Sequence, residues 1–163
     1  TIPSLVNQNY PIFTEVLHLV GPKASFLAKR STITLEEASK LPLLLPMIDG
    51  TRKLYNEAFD SKGLKPNVVF EIDSPTTMLD LIKANEGYAI LSYAMVHQLV
   101  EDNEISNATI VDPSIERTLY TAFPINRPQT FLCRVVEREI IDLVSQNSKK
   151  AQGHLIANEM QAH

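Results

Sequence analysis

Strand-like and helix-like segments alternate three times between residues 43 and 101. The apolar runs LLLPMI, NVVFEI and YAIL are short and rich in β-branched or large side chains, which is typical of buried strands. A segment with helical spacing of its apolar residues follows each run. This order predicts a parallel sheet with crossover helices. Because the strands are nearly continuously apolar, both faces of the sheet are predicted to be covered.

Local signals predict where these helices start and end. Gly63 stands at a C′-like position after the first of them. Ser74 followed by Pro75 is the pattern of an N-cap and a first helical residue, which places the start of the second helix there. Gly87 is expected to end that helix, and Ser92 is expected to cap the third one.

Further elements are predicted on both sides of this alternating segment. Thr34 and Glu37 have the spacing of a capping box, which predicts a short helix from about Leu35. A long helix with an apolar stripe is predicted from Gln129. Strands are predicted over residues 15–20, 108–111 and 118–123, and the polar stretch from residue 146 onward is expected to be partly disordered.

Composition limits the classes of partner. The net charge is −4, and the 15 basic residues are scattered among 19 acidic ones. A nucleic-acid surface needs a concentrated excess of Lys and Arg, so this chain alone is not expected to bind DNA. The single cysteine, Cys133, allows no intrachain disulfide, which fits a reducing compartment. The sequence has no signal-peptide pattern and no apolar stretch long enough to span a bilayer, so a cytoplasmic protein is expected.

The usual catalytic and cofactor motifs are missing. We find no GxGxxG, no phosphate loop ending in Gly-Lys-Ser/Thr, no GxSxG and no HExxH, and the four histidines lack metal-ligand spacing. No cofactor, no metal and no catalytic residue is therefore expected. His18 is interpreted as structural, and Cys133 as a buried, inert thiol, because no group nearby in sequence would lower its pKa.

The turn EIDSPTTM is the candidate binding site. In open parallel sheets, ligands bind beyond the carboxyl ends of the strands, where helix N-termini offer free N–H groups and partial positive charge. Ser74, Thr76 and Thr77 would supply hydroxyls and backbone donors to a small anion. Alternatively, these residues only cap the helix. Arg52 lies in the first helical turn at the same sheet edge, where it either pairs with a ligand carboxylate or is solvated.

Several segments together resemble one known family. The run PIFTEVLHLVGPKASFLAKRSTITLEEASKLPLLLP resembles the middle of the effector-binding domain of LysR-type transcription regulators. The stretches NVVFEIDSPTTMLDLIKANEGYAILSYAMV and VDPSIERTLYTAFPINRP are similar to the segments that follow in that family. The resemblance covers about residues 3–145, and its specificity comes from the order and spacing of individually degenerate motifs.

The resemblance implies a type II periplasmic-binding-protein-like α/β fold with two lobes, parallel-dominated mixed sheets and an effector in the cleft between the lobes. The family has a helix, a strand and further segments between the stretches that match IPSLVNQ and NYPIFTEVL, so the second lobe is expected to be complete and the first partial. The implied organisation is a partial first lobe over 1–27, a second α/β lobe over 28–112, a return to the first lobe over 113–145 and a polar tail over 146–163.

The same resemblance implies a role for the chain. It would be the sensing domain of a regulator that binds a small, carboxylate-bearing effector, forms a homodimer or homotetramer, and contacts DNA only through an N-terminal winged helix-turn-helix absent from this sequence. The expected ligand-binding residues are Ser4, Arg52, Ser74, Thr76, Thr77, Thr121 and Phe123. Among them, Arg52 is predicted from the sequence pattern and not from the resemblance.

Two other functions fit parts of the pattern. A solute-binding protein of a transport system shares the fold, and a DNA-binding head encoded in frame upstream would distinguish the regulator from it. A small α/β enzyme would need an acid–base or nucleophilic group at the strand ends, where Asp73 and Ser74 are the candidates. That enzyme would also need His97 within hydrogen-bond reach of Ser74.

Overall fold

The computed structural model describes residues 7–47, 50–124, 130–147 and 153–155. The strands are β1 (Asn7–Pro22), β2 (Thr32–Thr34), β3 (Leu43–Leu45), β4 (Val68–Glu71), β5 (Tyr88–Ser92), β6 (Ile105–Val111), β7 (Glu116–Pro124) and β8 (Gly153–Leu155). The helices are α1 (Leu35–Ser39), α2 (Gly50–Ser61), α3 (Pro75–Lys83), α4 (Tyr93–Glu101) and α5 (Phe131–Asn147), and a 3₁₀ turn covers Phe26–Lys29.

The chain divides into two compact units. Unit 1 consists of Thr1–Glu15 and Arg117–His163, and unit 2 consists of Val16–Glu116. Strand β1 therefore contributes residues to both units. The predicted lobe boundaries were placed after residues 27 and 112, whereas the division between the units follows residues 15 and 116.

The sheet of unit 2 is mixed. Its strands lie in the order β2-β6-β1-β5-β3-β4. Strand β3 is parallel to both β4 and β5, and β2 is parallel to β6, whereas β1 is antiparallel to β5 and β6. The predicted parallel arrangement of the three strands between residues 43 and 101 is therefore confirmed.

Side chains of β3 alternate between two apolar layers. Leu43 and Leu45 belong to a cluster that includes Phe59 of α2. Leu44 belongs to a second apolar cluster, which includes Ile82 of α3. All five side chains are at most 1% exposed. Full burial of a side chain of this kind stabilises the fold by about 1.5–3 kcal/mol. The two-sided coverage inferred from the apolar runs is present at this strand.

Strand β4 does not follow that expectation. It is the last strand in the sheet order, and β3 is its partner within the described part of the chain. The side chains of Val69 and Phe70 are 41% and 48% exposed. An apolar run therefore marks an edge strand here, because hydrophobicity alone does not reveal whether a neighbouring element covers the strand.

The ends of the helices follow the local signals with two exceptions. Gly63 has φ +62°, as expected after α2, but α3 is ended by Asn85 with φ 65° and not by Gly87. Gly87 serves a close approach instead, since a Cβ there would lie 2.8 Å from the carbonyl oxygen of Pro42. Ser92 precedes α4 as predicted, but its hydroxyl makes no capping hydrogen bond.

The capping box before α1 is confirmed. Thr34 Oγ1 accepts the N–H of Glu37 at 3.1 Å, and Glu37 Oε2 accepts the N–H of Thr34 at 3.1 Å. The Arg30 guanidinium donates to Glu37 Oε1 at 2.7 Å. These contacts, the Arg30 hydrogen bond foremost, hold the pKa of the Glu37 carboxyl below its ordinary value.

Unit 1 is built on the first half of β1. Both β7 and β8 pair with this strand. The predicted long helix is present as α5, and its Ile141 and Val144 pack against Ile12 and Phe13. Strand β8 lies in the polar stretch from residue 146 onward, where no strand was predicted.

Candidate functional site

The carboxyl ends of three parallel strands meet at one edge of the unit 2 sheet. Strand β3 ends at Leu45, β4 at Glu71 and β5 at Ser92. Helices α2, α3 and α4 follow these strands directly in the chain, so their N-termini begin at the same edge. Helix N-termini carry partial positive charge and unpaired N–H groups, which makes this edge suitable for a small anion.

The Ser74 turn forms the first turn of α3. Ser74 Oγ accepts the N–H of Thr77 at 3.3 Å, and Pro75 occupies the first helical position. The capping role is therefore present. The hydroxyls of Thr76 and Thr77 are exposed and have no hydrogen-bond partner among the described residues. Capping thus uses Ser74 and leaves the two threonine hydroxyls available to a ligand.

Arg52 is held at the same edge by neighbouring groups. Its Nη1 donates to the Pro46 carbonyl at 2.7 Å and to Glu71 Oε1 at 3.0 Å, and its Nε donates to Asn56 Oδ1 at 3.1 Å. The Arg52 side chain is only 14% exposed. From the sequence, Arg52 was expected either to be solvated or to contact a ligand. Its ion pair with Glu71 was not predicted.

Asp73 adds a second carboxylate beside the turn. Its Oδ1 accepts the N–H of Met47 at 2.8 Å, which ties the loop after β3 to the loop after β4. Glu71, two residues before Asp73, accepts the hydrogen bond from Arg52, so two carboxylates border this turn. Sequence reasoning noticed Asp73 only as a possible catalytic group and did not predict either contact, because the partners are 19 and 26 residues apart in the chain.

Two other candidate residues, Thr121 and Phe123, lie on β7 in unit 1. They line a groove of about 510 Å³, together with apolar side chains of β1, β7 and α5. Thr121 Oγ1 donates to Glu137 Oε1 at 3.0 Å. The candidate residue Ser4 lies outside the described residues. The described candidates therefore form two sets, one in each unit.

The prediction that Cys133 is buried and has no neighbour that lowers its pKa is wrong. The side chain is half-exposed and lines the same groove. Thr130 Oγ1 donates a hydrogen bond to Cys133 Sγ at 3.2 Å, and this bond lowers the pKa of the thiol. Sequence reasoning missed Thr130, although its spacing of three residues before Cys133 at a helix N-terminus is a detectable signal.

We expect the Thr130 hydroxyl to raise the reactivity of Cys133 near neutral pH. A lower thiol pKa gives more thiolate, which is the nucleophile. In the Thr130→Val variant, the pH midpoint of the iodoacetamide reaction rate should move upward. Thr121→Val, which removes a hydroxyl from the same groove, serves as the control. Identical rate profiles for the parent and Thr130→Val would show that the hydrogen bond does not control the thiol.

Two histidines considered from the sequence, His18 and His97, have different surroundings in the structure. His18 is 1% exposed, and its ring contacts the side chains of Asn107 at 2.8 Å and Thr109 at 3.4 Å, which supports a structural role. His97 is partly buried, and its Nδ1 lies 3.0 Å from the carbonyl oxygen of Ala94. In the described part of the chain, no hydrogen bond joins His97 to Ser74.

Within the described ranges, no group of three or more His, Cys, Asp and Glu side chains could hold a metal ion. None of the described helices has the length and apolar character required to cross a bilayer.

The sequence matches the family model described as the LysR substrate binding domain over residues 7–144. No curated protein matches the chain. The match covers most of the sequence, including the Ser74 turn, Arg52, β7 and nearly all of α5.

Solved structures with the same fold include regulatory and effector-binding domains and a LysR family regulator. The CcmR regulatory domain of Synechocystis PCC6803 in complex with 2-PG is 18% identical with a TM-score of 0.73, and the match covers 88% of this chain and 70% of that one. The effector binding domain of QuiR in complex with shikimate is 17% identical with a TM-score of 0.73. That match covers 90% of this chain and 69% of the QuiR domain. HinK, a LysR family transcriptional regulator from Pseudomonas aeruginosa, is 15% identical with a TM-score of 0.73, covering 88% of this chain and 50% of HinK. The chain thus spans half the length of this last relative.

Proposed function

The chain belongs to the family of LysR substrate-binding domains, and from this premise we propose that it binds a small anionic effector at the carboxyl edge of β3, β4 and β5. The observation that carries the proposal is the first turn of α3, where the hydroxyls of Thr76 and Thr77 are exposed beside a helix N-terminus. A carboxylate there would accept hydrogen bonds from the hydroxyls and gain from the helix dipole, by about 0.3–2 kcal/mol for the dipole alone.

The charges at this edge favour a ligand with one negative charge. Arg52 supplies the cation, and its bonds to Glu71, Pro46 and Asn56 orient its guanidinium at this edge. The carboxylates of Glu71 and Asp73 would repel a second negative charge on the ligand. Small monocarboxylates with hydroxyl or aromatic groups therefore fit this site better than dicarboxylates.

Effector binding would change the equilibrium between two conformations by the difference in affinity for them. We propose that the full-length protein is a cytoplasmic homodimer or homotetramer that contacts DNA through an N-terminal winged helix-turn-helix and that this chain catalyses no reaction. Ser4, Thr121 and Phe123 are proposed as further effector contacts in unit 1.

The test is a calorimetric titration with a panel of small monocarboxylates, including benzoate and shikimate. Thr76→Ala should weaken binding of the best ligand about tenfold, because a hydrogen bond to a charged group contributes about 1.5–3 kcal/mol. Thr32→Ala is the matched control, because Thr32 is also exposed but lies on β2 at the opposite end of the sheet order. Equal affinities for the parent and Thr76→Ala would remove this turn from the site.

A further inference from the structure

Asp73 carries a negative charge at the carboxyl edge of β3, β4 and β5 that the described residues do not neutralise. The residue is exposed, and its Oδ1 accepts the N–H of Met47 at 2.8 Å. A backbone N–H has no net charge, so this bond orients the carboxylate and leaves its charge in place. Within the described residues, Asp73 takes part in no ion pair, and its Oδ2 accepts no hydrogen bond.

Glu71 at the end of β4 differs from Asp73 in this respect. Its Oε1 lies 3.0 Å from Arg52 Nη1, and the Arg52 side chain is only 14% exposed. The opposite charges of this pair largely cancel at a distance of several ångströms. Of the two carboxylates that border the turn, that of Asp73 is therefore the one whose charge would act most strongly on a ligand.

The Asp73 carboxylate is next to the proposed anion site. Asp73 immediately precedes Ser74, the N-cap of α3, and Cα atoms of consecutive residues lie about 3.8 Å apart. The bond to Met47 holds the carboxylate there, and a carboxylate has acceptor positions on both oxygens. The first turn of α3 thus offers donors to an anion, and the residue before it offers an acceptor to a cation.

A small ligand with two charges of opposite sign would fit this arrangement. A simple carboxylate at the hydroxyls of Thr76 and Thr77 would lie beside the Asp73 carboxylate, and the two negative charges would repel each other. An α-amino acid carries an ammonium group on the carbon next to its carboxylate. Its carboxylate would gain from the helix N-terminus, and its ammonium group would offset the repulsion and donate to Asp73.

We propose that the effector is an α-amino acid, with its carboxylate at the first turn of α3 and its ammonium group on the Asp73 carboxylate; this inference rests on the proposed function. It narrows the ligand class from monocarboxylates in general to those that also carry a cation. Two separate observations support it. One is the helix N-terminus with its exposed threonine hydroxyls, and the other is the exposed carboxylate directly before it.

Matched pairs of compounds measure the contribution of the ammonium group. The pairs are alanine with propionate, leucine with isocaproate, and phenylalanine with hydrocinnamate, and the two members of each pair differ only in that group. In calorimetric titrations at low salt, the parent should bind the amino acid of the best-fitting pair about fivefold more tightly, which is the upper range for an ion pair with an exposed carboxylate. Thr76→Ala should weaken both members of that pair alike, because they present the same carboxylate to the turn.

Asp73→Asn separates the charge of this side chain from its hydrogen bond. The amide oxygen can still accept the Met47 N–H, so the loop stays in place while the negative charge is lost. We expect the preference for the amino acid to disappear in this variant. Asp60→Asn is the matched control, because Asp60 is also exposed and lies near the other end of α2, about 15 Å along the helix from Gly50 at the edge. The control should keep the preference.

Circular dichroism checks that each variant is folded. Equal binding of the two members of every pair by the parent, or a preference that persists in Asp73→Asn, overturns the inference. A parent that binds none of the six compounds overturns it as well. The titrations with benzoate and shikimate judge the proposed function separately. Binding there that Thr76→Ala weakens, without any preference for amino acids, keeps the site and removes only the contact with Asp73.

Discussion

Replacing Phe59 with alanine is expected to lower the free energy of unfolding by about 3–5 kcal/mol. Phe59 is 1% exposed and is one of two buried side chains of α2, the other being Tyr55. Tyr55 donates a hydrogen bond to the Ile90 carbonyl at 2.7 Å. Without the Phe59 ring, α2 keeps this bond but loses a fully buried side chain from the cluster beneath it.

Urea unfolding followed by circular dichroism measures this effect. Phe70→Ala is the matched control, because the same group is removed where the ring is 48% exposed, and we expect a loss below about 1.5 kcal/mol there. Leu54 and Ala58 of the same helix pack partly buried against the cluster that contains Phe59. Similar losses for the two variants would contradict the assignment of Phe59 to the core.

Replacing Arg117 with methionine is expected to lower the free energy of unfolding by about 3 kcal/mol, because the buried Glu15 carboxylate loses its guanidinium partner. The Glu15 side chain is 1% exposed and that of Arg117 is 30% exposed. Arg117 Nε donates to Glu15 Oε1 at 2.9 Å, and its Nη2 contacts the same oxygen. Both residues belong to unit 1, so the variant tests what holds β7 against β1 in that unit.

Arg30→Met provides the comparison for this pair. Arg30 and Glu37 form an ion pair at 2.7 Å with side chains 46% and 45% exposed, and exposed pairs contribute about 0–1 kcal/mol. The double variant Glu15→Gln/Arg117→Met should recover part of the stability, because the buried charge is removed together with its partner. If Arg117→Met and Arg30→Met lower the free energy of unfolding in urea by the same amount, the pair of Glu15 and Arg117 is not a significant stabilising contact.

The predictions that the structure confirms depend on residues close together in the chain. The capping box of Thr34 and Glu37 spans four residues, and so does the Ser74 cap with its Thr77 donor. Such contacts form within one helical turn, so the residue types and their spacing are sufficient to predict them. The same reasoning failed at Gly87, because Asn also adopts a positive φ at a helix end and Asn85 comes first.

The predictions that needed correction depend on distant residues. Whether β4 is covered depends on its place at the end of the sheet, and hydrophobicity does not encode that place. The exposure of Cys133 depends on how α5 lies on β1, although its hydrogen bond to Thr130 is local. At the candidate site, the bond from Arg52 to Glu71 joins residues 19 positions apart.

The sequence by itself determined the order of strands and helices between residues 43 and 101 and the helix N-terminus at Ser74. It did so because these features follow from periodicity and from contacts within one turn of helix. Only the tertiary structure decided that Arg52 is paired with Glu71, that Asp73 holds the Met47 amide, and that α5 keeps an apolar face in solvent. Those features arise when strand pairing brings distant residues together, and no local pattern specifies which partners will meet.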